Sequence, residues 1–214
     1  MKKFCVLLFL ILGVLIFQNM FFIRVSAHEI FVYNDSPVTL TRSSSSLRYN
    51  ADNVSSSSVY KSVISTAASQ FNTSCTSLSS SSFNSSNVDF STMSEWYWNE
   101  YYGGTQIVPA YTWLYSDETH ISSEAVAYYS NREITTSHIY FNPHHTSGNI
   151  WAPVSSELRT KIVVHELGHA FCIGHSDGYS PTTTNSVMYH DPAAYNENSY
   201  SLTSHDLADL NNKY

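Results

Sequence analysis

Four residues able to bind a metal or move a proton fall within eleven positions of this 214-residue chain: His165, Glu166, His169 and His175. On an α-helix, residues four apart share a face, so His165 and His169 would aim two imidazoles at one point. That spacing suits a zinc ion. Glu166, offset by one residue, would reach a water beside such an ion without ligating the ion itself. A catalytic zinc takes three protein ligands and keeps a fourth position open. His175 lies six residues past His169 and directly after Gly174. It becomes the third ligand if the chain reverses sharply beyond the helix. The bare five-residue pattern arises by chance on exposed helices; three histidines at this spacing are much harder to obtain by accident.

The helix that must carry these groups reads from Ser155 to Phe171. Pro153 breaks what precedes it, Ser155 can cap, and Glu157 in the first turn suits the helix dipole. Leu158, Ile162, Val163, Leu167, Ala170 and Phe171 supply its apolar face. An earlier helix is expected over Ser57–Phe71, where Val59, Val63, Ala67 and Phe71 recur every four residues beside Tyr60, Ile64 and Ala68. Strands are expected near Asn87–Phe90, Thr105–Leu114, Glu124–Ser130 and His138–Asn142, with a turn at Gly103-Gly104. A last helix begins near Thr203, where Thr203 and Asp206 have the spacing of a capping box. The serine runs Ser43–Ser46, Ser55–Ser58 and Ser79–Ser82 read as flexible loops or solvated faces. These elements amount to an α+β fold.

The segment His165–Ser176, HELGHAFCIGHS, resembles the zinc signature of the metzincin metalloproteases, H-E-x-x-H-x-x-G-x-x-H. Ser186-Val187-Met188-Tyr189 resembles their Met-turn. Ser176 after the third histidine, and the Met188-Tyr189 pair, are the forms found in matrixins, although His190 stands where matrixins have proline. Leu202–Leu207 resembles the last helix of matrixin catalytic domains. The resemblance implies a mixed twisted sheet of about five strands with three main helices over residues 47–214. It implies one catalytic zinc on His165, His169 and His175, with Glu166 as general base. Met188 would be an apolar floor beneath the histidines, and Tyr189 a wall of the substrate pocket. The substrate strand would pair with the edge at Glu124–Ser130.

The chain departs from the family at further places. The family's glycine falls at Cys172, so either Cys172 adopts a strained conformation or Gly174 makes the turn. Where matrixins hold a structural zinc, Tyr140 and Asn142 replace the expected histidine and aspartate. One zinc is therefore expected, and calcium has no support. His120, His138, His144, His145, His190 and His205 read as surface or hydrogen-bonding residues, with His144-His145 able to line the cleft. No Pro-Arg-Cys-Gly segment is present, which argues against latency by a cysteine switch.

Residues 1–27 read as a signal peptide: Lys2 and Lys3, an apolar run from Phe4 to Phe17, and a small-residue site at Val25-Ser26-Ala27. Residues 28–46 would form a flexible arm before the catalytic domain. The first 27 residues hold three basic residues and no acid, so the remainder has 7 Lys+Arg against 17 Asp+Glu, a net charge of −10. That charge argues against nucleic acid and anionic membranes as partners. The expectation is a secreted, extracellular monomer acting on protein or peptide substrates. Cys75 and Cys172 could pair in an oxidising compartment or stay apart. The competing class is a catalytically silent, zinc-stabilised binding or adhesion module; Glu166 argues against it, since a structural site has no need of that carboxylate.

Overall fold

The computed structural model describes residues 31–33, 36–38, 41–116, 119–121, 133–175, 186–188 and 201–214. The signal segment, the strand expected over Glu124–Ser130, and Ser176, Tyr189 and His190 lie outside the described residues.

Among the described residues eight short strands form: β1 (Phe31–Tyr33), β2 (Ser36–Val38), β3 (Ser46–Asn53), β4 (Ser77–Ser80), β5 (Val88–Thr92), β6 (Ala110–Ser116), β7 (Thr119–Ile121) and β8 (Thr136–Phe141). β1 and β2 pair as an antiparallel ribbon, and the other six make one sheet in the order β4-β3-β5-β8-β6-β7. β4, β3, β5 and β8 run parallel, and β6 is antiparallel to both β8 and β7. Four helices complete the described fold: α1 (Ile64–Ser69), α2 (Glu95–Tyr102), α3 (Ser156–Ala170) and α4 (Ser204–Lys213). Among the described residues the α+β class holds, with a mixed six-stranded sheet and four α-helices, close to the expected architecture.

Local chemistry accounts for where the elements differ from expectation. The apolar stripe from Val59 to Phe71 is buried as its spacing predicts. Only Ile64–Ser69 of it is α-helical; before it, the hydroxyls of Ser55 and Ser57 bond each other, and those of Ser55 and Ser58 accept from nearby backbone amides. Such short side-chain bonds compete with the helical ladder. The strands β3 and β4 hide in serine-rich sequence; one buried leucine in each, Leu47 and Leu78, anchors them while the neighbouring serines face out. The aromatic run Glu95–Tyr102, to which the sequence pattern assigns no element, folds as α2. The Ser94 hydroxyl caps it by accepting from the Tyr97 amide, and Gly103 ends it at φ 61°. Pro109 precedes β6, so that strand starts later than Thr105. Within the expected N-terminal arm, Arg42 is buried and Thr41 bridges to Glu133.

The core lies between the sheet and α3, which packs on β6, β8 and α1. Phe71 stacks on Phe171 with ring centroids 4.8 Å apart, and Tyr60 and Phe90 both stack on Phe141. Phe171 closes the helix that carries the histidines, so this stack ties the first apolar stripe to the site. Phe71→Ala should therefore cost about 3–5 kcal/mol, read as a lower midpoint in chemical denaturation; a loss below 1 kcal/mol would show that the stack is not load-sharing.

Candidate metal centre

α3 begins as its sequence dictates. The Ser155 side chain accepts from the Leu158 amide at 3.0 Å, and Glu157 sits in the first turn. The helix therefore presents His165 and His169 on one face, one turn apart. At its far end the chain reverses. The Ile173 amide donates to the Gly168 carbonyl at 2.9 Å and the Cys172 amide to the His169 carbonyl at 2.7 Å. This pair of bonds requires a left-handed residue between them. Cys172 takes that role at φ 60°, the one positive φ outside glycine among the described residues. The strained alternative is thus realised, and Gly174 does not make the turn. For a side-chain-bearing residue the left-handed conformation costs about 1–2 kcal/mol.

The reversal brings His175 back over the helix. Its Nε2 lies 3.0 Å from Nε2 of His169 and 3.2 Å from Nε2 of His165. The other ring nitrogens set the tautomers. Nδ1 of His165 donates to the Val187 carbonyl and Nδ1 of His169 to the Ile173 carbonyl, each at 2.8 Å. A carbonyl only accepts, so each Nδ1 carries the proton and each Nε2 of the helical pair turns a lone pair inward. The three residues form the one group of metal-ligating side chains among the described residues whose ligand atoms lie within 4.8 Å of one another.

Ser186-Val187-Met188 forms the floor. Met188 is fully buried beneath the helix, and Gly168 makes the space for it. A Cβ on Gly168 would stand 2.2 Å from the Met188 sulfur. The floor is tied to α4 by the buried Asp206. Its Oδ1 accepts from the Ser186 hydroxyl, and its Oδ2 from the Val187 amide at 3.2 Å and the Thr203 amide at 2.8 Å. The capping box expected from Thr203 and Asp206 is present, and its acid also orients the carbonyl that holds His165. Sequence spacing predicts the cap but not this second use.

Glu166 is buried next to His165, with Oε2 accepting from the Thr112 hydroxyl of β6 at 2.6 Å. Burial pushes its carboxyl up to about 7, against the opposing pull of the Thr112 bond. A cavity of about 400 Å³ opens beside His165 and His175, lined largely by apolar groups including Val108, Trp151, Leu158 and Ile162. His145 also lines it and is itself buried. Its Nε2 donates to the Gln106 carbonyl at 2.8 Å, so its Nδ1 accepts from the Tyr60 hydroxyl at 2.6 Å. Burial draws this imidazole below its ordinary range, which keeps it neutral. Of the histidines read as surface or hydrogen-bonding, His145 is therefore structural and faces the cleft. Thr112 and Trp151 carry no sequence signal, because their roles arise from contacts across the fold. Cys75 and Cys172 are both free thiols.

The donor set fits a small, borderline-soft cation. Tetrahedral zinc with Zn–N bonds of about 2.0–2.1 Å separates its nitrogens by about 3.3 Å, close to the spacing found here. The backbone carbonyls on Nδ1 are the outer contacts that fix such ligands. No protein-family model matches the chain, and no curated protein aligns with it significantly. Among the described residues, no helix is long and apolar enough to cross a membrane. The contact between Gly168 and Met188 gives a direct check on the floor. Gly168→Ala should destabilise the protein by about 1–3 kcal/mol and weaken metal binding, and Met188→Ala should relieve part of both losses. Wild-type stability and affinity in Gly168→Ala would refute the fit.

Proposed function

We propose that the protein is a secreted, zinc-dependent endopeptidase built on the matrixin-like metzincin plan. The observation that carries this reading is the convergence of the His165, His169 and His175 nitrogens next to a buried carboxyl that stands outside their ligand group. Those three histidines would hold the zinc. When bound, the ion supplies Lewis-acid activation of a water and polarises the scissile carbonyl.

The chain's own residues supply the proton handling and the positioning. Thr112 fixes one oxygen of Glu166, which leaves Oε1 to take a proton from the attacking water. Burial raises this carboxyl above the ordinary carboxylate range, which suits it to take that proton and deliver it to the leaving amine. Attack by water needs no acyl-enzyme, so no serine or cysteine nucleophile is required. Among the described residues, β7 pairs only with Leu114–Ser116 of β6, and Ala110–Trp113 has no strand on that side. An extended peptide could add on this side of the sheet as a further strand; Glu124–Ser130, the edge expected from the sequence, lies outside the described residues. The apolar cavity beside His165 would then receive one substrate side chain, with Trp151, Leu158 and Ile162 as its walls.

The test is a metal analysis joined to an activity assay on casein or gelatin. Glu166→Ala should keep stoichiometric zinc and lose at least about 10²–10⁴-fold in kcat. A chelator should abolish cleavage by the wild type, and added zinc should restore it. Full activity in Glu166→Ala, or activity indifferent to chelation, would sink the proposal.

A further inference from the structure

A helix ends with carbonyls that no amide within it can reach, and each needs a partner from elsewhere. At the end of α3 the local amides fill three. Leu167 takes the Phe171 amide, Gly168 the Ile173 amide and His169 the Cys172 amide. The next two carbonyls are filled from far along the chain. Arg42 Nη1 donates to the Ala170 carbonyl at 3.0 Å, and the Tyr214 hydroxyl donates to the Phe171 carbonyl at 3.1 Å.

Arg42 is well rooted for such a role. The same buried guanidinium donates to the Ser137 hydroxyl at 2.8 Å and to the Thr135 and Asn87 carbonyls at 3.1 and 3.2 Å. It therefore fastens the helix exit to β8 and to the start of β5. All four acceptors are neutral, and its positive charge faces the negative end of the helix dipole. The Tyr214 ring meets the Phe171 ring edge-on, with centroids 6.1 Å apart. Directly after the two clamped carbonyls comes the turn whose residue, Cys172, is not the glycine that left-handed backbone favours. Three residues later comes His175, whose Nε2 closes the triad.

We propose that Arg42 and Tyr214 are positioning residues: by holding the Ala170 and Phe171 carbonyls they stabilise the left-handed turn at Cys172 and thereby set where His175 meets the other two histidines. The turn lacks the residue that would make it self-sufficient, and the clamps replace what glycine would give. The inference rests on the metal-site reading for its functional consequence, and on backbone geometry alone for the clamp.

The decisive measurement is zinc affinity by competition with a chromophoric chelator, with thermal stability followed alongside. Arg42→Lys and Tyr214→Phe should each weaken zinc binding about tenfold, the range seen when outer contacts of a metal site are removed. Leu78→Ala, a buried control on β4, should lower the Tm while leaving affinity within about twofold of wild type, the margin left by a change that spares those contacts. Cys172→Gly should rescue affinity in both clamp variants, because glycine holds the turn unaided. The proposal fails if the clamp variants lose no more affinity than Leu78→Ala, or if Cys172→Gly gives no rescue. Should the wild type bind no zinc, the metal reading falls, and hydrogen exchange of the Cys172 and Ile173 amides decides the clamp. Faster exchange in Arg42→Lys and Tyr214→Phe supports it, and unchanged exchange overturns it.

Discussion

Two imidazole nitrogens that each turn a lone pair inward repel one another unless a proton or a cation lies between them, and with a third within 3.0 to 3.2 Å of both they make a group that could hold a metal ion. The protein nonetheless spends several buried interactions on keeping them so. The Val187 and Ile173 carbonyls hold protons on the outer ring nitrogens of His165 and His169. Reversing either tautomer would turn an N–H inward and leave a carbonyl unsatisfied, so the inward lone pairs are imposed by the backbone.

Each of those carbonyls depends on a separate piece of the fold. Val187 belongs to the floor segment and is fixed by Asp206, which is itself fixed by its role as the cap of α4. Ile173 follows the left-handed turn at Cys172. Met188 fills the space that Gly168 leaves, so floor and helix approach closely at the turn between His165 and His169. The sheet contributes through Thr112, which ties the Glu166 carboxyl to β6. The site is thus a meeting place of elements far apart in sequence, and its geometry follows from a few hydrogen bonds to groups that have one way to bond.

The parts of this arrangement that are legible in the sequence are those written locally. Pro153, Ser155 and Glu157 mark the start of α3 within one residue, and Thr203 with Asp206 marks the start of α4. The spacing of His165, His169 and His175 announces a shared target, and a turn is expected at Cys172 or Gly174; the structure brings the three histidines together and makes the turn at Cys172. What is not legible depends on contacts between distant segments. β3 and β4 carry one buried leucine each amid serines, too little alternation to register as strands until a sheet covers them. In α2, a capping serine and a terminal glycine outweigh the strand preference of its tryptophans and tyrosines. Arg42 lies in a stretch that reads as a flexible arm, yet its five-donor fork finds four acceptors contributed by three different parts of the chain.

The claim on which everything else rests is that His165, His169 and His175 together make one zinc site with an open position. X-ray absorption at the zinc edge of the metal-loaded protein tests it most directly. The expected spectrum shows three imidazole nitrogens at about 2.0–2.1 Å with one further oxygen at similar distance. A sulfur scatterer near 2.3 Å, or fewer than three imidazoles around the metal, would contradict it.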